Sequence, residues 1–258
     1  ITDMSNTKKM TYAYQYPRPA VTTDCVIFGF DIRQSDIKVL LIERGIEPFK
    51  GQKALPGGFA RIETKTDETG FVIEEKNETL IDCAKRELIE ETGLRINYIE
   101  EVGTFSECGR DPRGVVFTDA FFALVNIQEV RGGDDAAHAE WVSVQQIFDE
   151  IEEHGSVLAF DHDKILEKAF QKLQESLHFR PIGFDLLPRN FSMTELQHLY
   201  ESITGRHFDR RNFARKMLDT GILEKVEGEK KYVRKIHYCF KKDAYEEYKR
   251  NGRFKVEF

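Results

Sequence analysis

The sequence is short of cysteine, has no metal-ligand spacing and contains no long apolar run. Its four cysteines, Cys25, Cys83, Cys108 and Cys239, lie far apart with no C-x-x-C pair among them. That pattern speaks against a disulfide-framed scaffold or a zinc ribbon. Cys25 and Cys83 fall inside apolar patterns and are expected to be reduced core residues. The seven histidines are equally dispersed, none in i, i+4 pairs or in Cys/His spacing, so no zinc site is expected. The longest apolar run falls well short of the ~18 residues a spanning helix requires, and no membrane partner is expected. Residues 1–19 are polar and then proline-containing, without the apolar stretch of a secretory signal. The cytoplasm is the expected location.

What the chain does have is length and an uneven charge. Its 258 residues suit about two domains of roughly 100–200 residues each. The net charge is −7, yet residues 205–251 carry 14 Lys and Arg against 8 Asp and Glu. That excess of six leaves the remainder at −13. A reversal of sign between halves points to a nucleic-acid partner for the C-terminal half.

The most informative stretch runs from Ala54 to Leu94. Leu80, Ala84 and Leu88 recur every four residues and predict a helix over 78–92, with Asn77 as a cap and Gly93 as a stop. Glu87, Glu90 and Glu91 then share one helical face. Three carboxylates so close either point into solvent or give their oxygens to a hard divalent cation, Mg²⁺ or Mn²⁺. Around the helix, Val21–Phe30, Ile37–Ile42, Lys53–Phe59, Tyr98–Phe105 and Val115–Val125 read as strands, which makes an α/β sandwich. Between the last two strands, Arg110 and Arg113 bracket Asp111 and Pro112. This loop is either a structural turn or a source of bidentate bonds to phosphate.

The second half has its own signals. Gln145–Glu153 reads as an amphipathic helix, and 153–161 as a linker between a domain of 20–152 and one of 162–258, with 1–19 as an arm. Asp161 is placed to cap a helix over 162–177 that carries Ile165, Ala169, Leu173 and Leu177 on one face; its packing surface lies in either domain. Ser192 and Glu195 form a capping box for a helix ended by Gly205, and Asp209 caps another ended by Gly221. Two short helices on a tight turn have the spacing of a helix-turn-helix. Ile222–Val226 and Tyr232–Phe240 then predict a hairpin whose turn, with Lys230 and Lys231, forms a wing. On the second helix Asn212, Arg215 and Lys216 lie opposite the apolar stripe with Arg211 on its flank, and these four, together with Arg210, are the expected DNA contacts.

Gly58, Glu78, Arg86, Glu87, Leu88, Glu90, Glu91, Gly93 and Leu94 resemble the motif of the Nudix family of diphosphate hydrolases. One departure is clear. Between Gly58 and Glu78 stand 19 residues where the motif has five, so the insertion is a solvated hairpin or a device that reshapes the cleft. The resemblance implies an α/β/α sandwich with a mixed sheet, and Glu87, Glu90 and Glu91 as metal ligands and, in a hydrolase, catalytic residues. Pro112 is similar in position to a proline of members acting on ADP-ribose, which implies a ribose or diphosphate pocket lined by Gly57, Gly58, Arg86, Arg110 and Arg113. Asp134, Asp135 and Glu140 are open candidates for a general base. Phe184–Pro188, Glu195–Gln197 and Asp209–Phe213 resemble the winged helix-turn-helix domain of Nudix-related transcriptional regulators of NAD metabolism. This implies a homodimeric repressor that binds double-stranded operator DNA and takes ADP-ribose, or a related nucleotide, as effector. The alternative is a Mg²⁺-dependent ADP-ribose pyrophosphatase.

Overall fold

Strand β1 (Ala20–Asp31) sets the architecture, because everything from Thr22 to Phe30 is buried. A strand covered on both faces must sit inside a layered sheet. In the computed structural model, which describes residues 16–66, 68, 72–96, 98–127, 139–226 and 236–251, it is the central strand. It pairs antiparallel with β2 (Asp36–Glu43) and parallel with β8 (Val116–Val125). The order is β3 (Lys53–Ala54), β2, β1, β8, β7 (Glu100–Phe105); β4 (Gly57–Phe59) lies on the first half of β1, and β9 (Ala139–Ser143) on β2. The mixed sheet that the resemblance implies is therefore present.

Helix α1 (Leu80–Thr92) covers one face, packing Ala84 and Leu88 against Cys25, Ile27, Leu40 and Phe121. Its cap corrects the expectation. Thr79, not Asn77, accepts the Asp82 N–H at 3.1 Å. Asn77 is unavailable because the insertion folds as a hairpin of β5 (Ile62–Thr66) and β6 (Val72–Asn77), and Asn77 ends its second strand. The hairpin is largely exposed, yet its closing register holds Arg61 beside Glu78: the Arg61 N–H donates to Glu78 Oε1 at 2.6 Å. Its base is thus tied to the motif.

The other face is covered by α2 (Val144–His154) and α3 (His162–Ser176), after which come α4 (Gly183–Leu186), β10 (Phe191–Ser192), α5 (Met193–Thr204), α6 (Arg210–Asp219), β11 (Leu223–Lys225), β12 (His237–Phe240) and α7 (Lys242–Asn251). The capping box at Ser192 and the left-handed Gly205, at φ 67°, define α5 as expected. Asp209 caps α6 through the Asn212 N–H. Strands β10, β12 and β11 close a small antiparallel sheet beside the helix pair, giving a winged helix. Lys230 and Lys231 lie outside the described residues, as do Asp134 and Asp135 and residues 1–15 of the expected arm.

Helix α3 uses both of the surfaces open to it. Ile165, Leu166, Ala169 and Leu173 are fully buried between the sheet and α5. One apolar core runs without a break from Val26, Phe28 and Phe122 through these residues to Leu199, Phe213 and Met217. Polar ties reinforce it. The Gln174 amide donates to Ile203 O at 2.8 Å, and Ser35 Oγ lies 2.9 Å from His198 Nδ1.

A shared core predicts shared unfolding. Leu173→Ala leaves a cavity in the joint, with an expected loss of about 2–5 kcal/mol. Urea melts should show Trp141 fluorescence, in the sheet, and helical circular dichroism falling together in wild type and variant. Two separated transitions in the wild type would contradict the single core.

Candidate functional site

The two glycines before the insertion stand where no side chain fits. A Cβ on Gly57 would lie 2.2 Å from Thr23 O, and one on Gly58 2.4 Å from the Glu87 carboxyl carbon. This closeness lets β4 bring its backbone against α1, so the Gly57 N–H donates to Glu91 Oε2 at 2.8 Å. The result is a cavity of about 470 Å³ lined by Gly57, Gly58, Glu87, Glu91, Arg110 and Arg113, with Asp24, Arg44, Arg61, Phe160 and His162. Four of the five positions expected from the resemblance, Gly57, Gly58, Arg110 and Arg113, meet there with Glu87 and Glu91. Arg86 is half-buried behind them, and Glu90 reaches it from the rim.

Each glutamate has a different environment. Burial pushes the Glu91 carboxyl up to about 7, and the Glu87 and Asp24 charges push the same way against the Gly57 hydrogen bond. Glu87 is paired with Arg86 Nη1. Glu90, more exposed, pairs with Arg61 at 2.9 Å and Arg86 at 3.3 Å. Arg86 also grips Glu78 at 2.6 Å, and that hydrogen bond pulls Glu78 down to about 2. Oxygen-only donors of this kind suit Mg²⁺ or Mn²⁺. Their arrangement, however, is that of an arginine-centred ion cluster: among the described residues no group of three or more His, Cys, Asp or Glu is placed to hold a metal ion.

The opposite wall is cationic and aromatic. Phe160, at φ 57°, packs its ring beneath Arg44 at 4.6 Å and Arg113 at 5.3 Å, and Arg113 also lies 4.8 Å from the Phe59 ring. Burial, then the charge of Arg113, pulls Arg44 below the usual guanidinium pKa. An anion between the two would relieve that repulsion. Arg113 is held by Asp111 through Nε at 3.0 Å and Nη2 at 2.6 Å. Arg110 is held by Asp161 through Nε at 3.0 Å and Nη2 at 2.7 Å, and lies 3.6 Å from Asp24. Asp161 therefore does not cap α3 with its side chain, contrary to expectation, because Arg110 occupies its carboxylate. His162 accepts the Leu55 N–H on Nδ1 at 2.9 Å and turns Nε2 to Asp24; burial lowers its pKa, so the ring is neutral. Beyond the Arg110–Asp161 pair lies a larger cavity of about 1000 Å³ between α2 and α3, which contains none of the motif glutamates.

Asp24, Arg44, Arg61, Phe160 and His162 were not singled out from sequence. Asp24 carried a signal, being a charge inside the apolar run of β1; its Oδ2 accepts from Thr118 at 2.7 Å. The others come together only across separations such as the 107 residues between Leu55 and His162. In the winged helix, Phe213 and Met217 of α6 face the core, Arg211, Asn212, Arg215 and Lys216 are exposed on the far side, and Arg210 is exposed at the first residue of the helix, in line with the buried stripe.

A model of the Nudix domain matches residues 18–161, more than half of the chain. The chain belongs to the Nudix family. A model of the NrtR DNA-binding winged helix domain matches residues 183–237. The chain is 34% identical over 216 residues, 83% of its length and 78% of the relative's, to the ADPR responsive transcriptional repressor NtrR of Acinetobacter baylyi. It is 37% identical over 152 residues to an ADP-ribose pyrophosphatase of Methanocaldococcus jannaschii, covering 59% of this chain and 73% of that protein. The structure of NrtR from Shewanella oneidensis superposes with a TM-score of 0.66 at 28% identity, covering 88% of this chain and 96% of that one. Its complex with a 27mer DNA gives 0.65 at 29% identity, covering 88% and 95%. This Nudix chain thus carries the α/β fold and a C-terminal winged helix in the order those structures have.

The raised Glu91 pKa has a measurable sign. Folding favours the protonated carboxyl, so this contribution is fully present below pH 4.5, the ordinary value, and is lost as pH rises through about 7. Glu91→Gln stays neutral throughout. The variant should be more stable than wild type at pH 8, by as much as about 3 kcal/mol, with the gain gone at pH 4. Thermal melts across that range check it, and a variant less stable at pH 8 than at pH 4 relative to wild type would refute the buried-carboxyl assignment.

Proposed function

We propose that this Nudix protein is a transcriptional repressor: its winged helix binds double-stranded operator DNA, and its Nudix domain binds ADP-ribose or a related NAD-derived nucleotide that releases the operator. The observation that carries the reading is α6. Four polar or basic side chains, Arg211, Asn212, Arg215 and Lys216, stand exposed along a capped helix of ten residues whose opposite face is locked into the core. A rigid basic helix beside a small sheet is the form that enters a major groove. The resemblance to a repressor named for its response to ADPR supports the effector, and so does the cavity, where Arg44 and Arg113 stand over aromatic rings. Diphosphate oxygens fit that guanidinium pair. Function as a homodimer in the cytoplasm is part of the proposal, since a two-fold axis presents two recognition helices to half-sites about 10.5 base pairs, or a multiple, apart.

A second reading rests on the retained Glu87, Glu90 and Glu91 and on the likeness to an ADP-ribose pyrophosphatase. In it, Mg²⁺ or Mn²⁺ at those carboxylates supports hydrolysis, and release of AMP from ADP-ribose is the discriminating assay.

Replacing Arg211, Arg215 and Lys216 with Ala should weaken operator binding and leave ADP-ribose affinity unchanged. Each lost phosphate contact flattens the log K against log salt slope by about 0.9; an unchanged slope in the triple variant refutes the placement of α6. Saturating ADP-ribose should weaken operator binding of the wild type roughly 5- to 150-fold, with AMP and ribose 5-phosphate as controls. Equal affinity with and without it would give first place to the hydrolase.

A further inference from the structure

We propose that Asp161 is the positioning residue through which an anion in the Nudix cavity reaches the DNA-binding helices, its carboxylate alternating between Arg110 and the N-terminus of α3. The inference rests on the effector reading above. Asp161 stands at the N-cap of α3, a position where Asp ordinarily accepts from the first-turn amides. Its side chain makes no such bond: the Lys164 N–H donates to the Asp161 backbone carbonyl at 3.0 Å, and the residue sits at φ −108°, ψ 26°. The side-chain caps elsewhere differ. Thr79, Ser192 and Asp209 are extended, at ψ 153°, 156° and 125°, and each accepts a backbone N–H. The carboxylate of Asp161 is instead spent on Arg110, which holds it with two bonds at 3.0 and 2.7 Å in a nearly buried pair.

Arg110 lines the cavity that Arg44 and Arg113 also face. A diphosphate oxygen there competes with Asp161 for the same guanidinium, and a carboxylate released from Arg110 has within its own residue's reach a first turn of α3 that is now closed by backbone carbonyls and by no side-chain cap. Taking that cap moves the residue 161 backbone from its present ψ to the extended range. The change enters α3 at its first residue. Phe160, whose left-handed backbone and ring contacts with Arg44 and Arg113 lie immediately before it, is a second handle on the same helix end.

Helix α3 then carries the change. Fifteen residues span about 22 Å, from the cavity to α5. There the Gln174 amide holds Ile203 O, and Leu173 shares the core with Leu199 and Phe213. Packed interiors repack between discrete arrangements and do not stretch, so a shift of α3 reorients α5 and, with it, α6.

Two substitutions separate the partners of Asp161. Asp161→Asn keeps a good capping side chain but loses the ion pair; Asp161→Glu keeps the charge for Arg110 but is a poor cap. The full-length protein is used, with thermal melts to verify folding. In fluorescence titrations of operator DNA with and without ADP-ribose, Asp161→Asn should bind DNA roughly tenfold more weakly than wild type even without ADP-ribose, and respond little to it. Asp161→Glu should bind DNA like wild type yet lose most of its response. Equal responses in both variants and wild type, or losses of the same kind in both, overturn the proposal. If Asp161→Asn does not fold, a wild-type response in Asp161→Glu is sufficient to overturn it. A wild type whose operator affinity ignores ADP-ribose defeats the effector reading instead, which keeps the two failures apart.

Discussion

Burial of α3 on two sides is the constraint from which the rest of this structure follows. Its residues Ile165, Leu166, Ala169 and Leu173 leave no solvent between the Nudix sheet and α5. A helix placed between two separate cores would let them move independently, as loosely joined domains do. Here the apolar surface is continuous, so the site and the basic helix belong to one packed body, and its parts have few arrangements open to them. That is the physical basis for connecting a nucleotide to DNA across the chain. Direct charge repulsion is a poorer route, since salt screens charges beyond about 8 Å at physiological ionic strength.

The cavity separates its charges by wall. On one side α1 presents carboxylates, and Arg86 and Arg61 hold two of them while burial pushes the Glu91 carboxyl up to about 7. On the other, Arg44 and Arg113 stack on Phe160 with only part of their charge matched. A site poised for turnover needs its acids free to order a cation and water. A site poised for sensing needs anion donors whose present partners can be exchanged. In the proposed function the pairings of Arg110 with Asp161 and of Arg113 with Asp111 are the ones a bound anion would exchange.

Much of this was legible in the sequence because its signals are local. The spacing of Leu80, Ala84 and Leu88, the left-handed Gly93 and Gly205, the Ser192–Glu195 box and the Asp209 cap each depend on residues within a few positions, and each is present. What failed depended on distant partners. Asn77 has the local pattern of a cap, and the hairpin that claims it depends on pairing the pattern does not encode; Asp161 has it too, and its partner Arg110 lies 51 residues away. The packing of α3 is open in the sequence for the same reason: an apolar stripe states that a helix is covered and not by what. Arg44, Phe160 and His162 join the site only through the fold, whereas Asp24 carries a local signal, a charge inside a buried strand.

The central claim is that the nucleotide site and the DNA-binding face are thermodynamically linked, and linkage is reciprocal. The most direct measurement is calorimetric titration of ADP-ribose into the free protein and into the protein saturated with its operator duplex, at one salt concentration. The account predicts weaker ADP-ribose binding on the operator, by the same factor that ADP-ribose weakens the operator. Identical ADP-ribose affinity in the two states would contradict it.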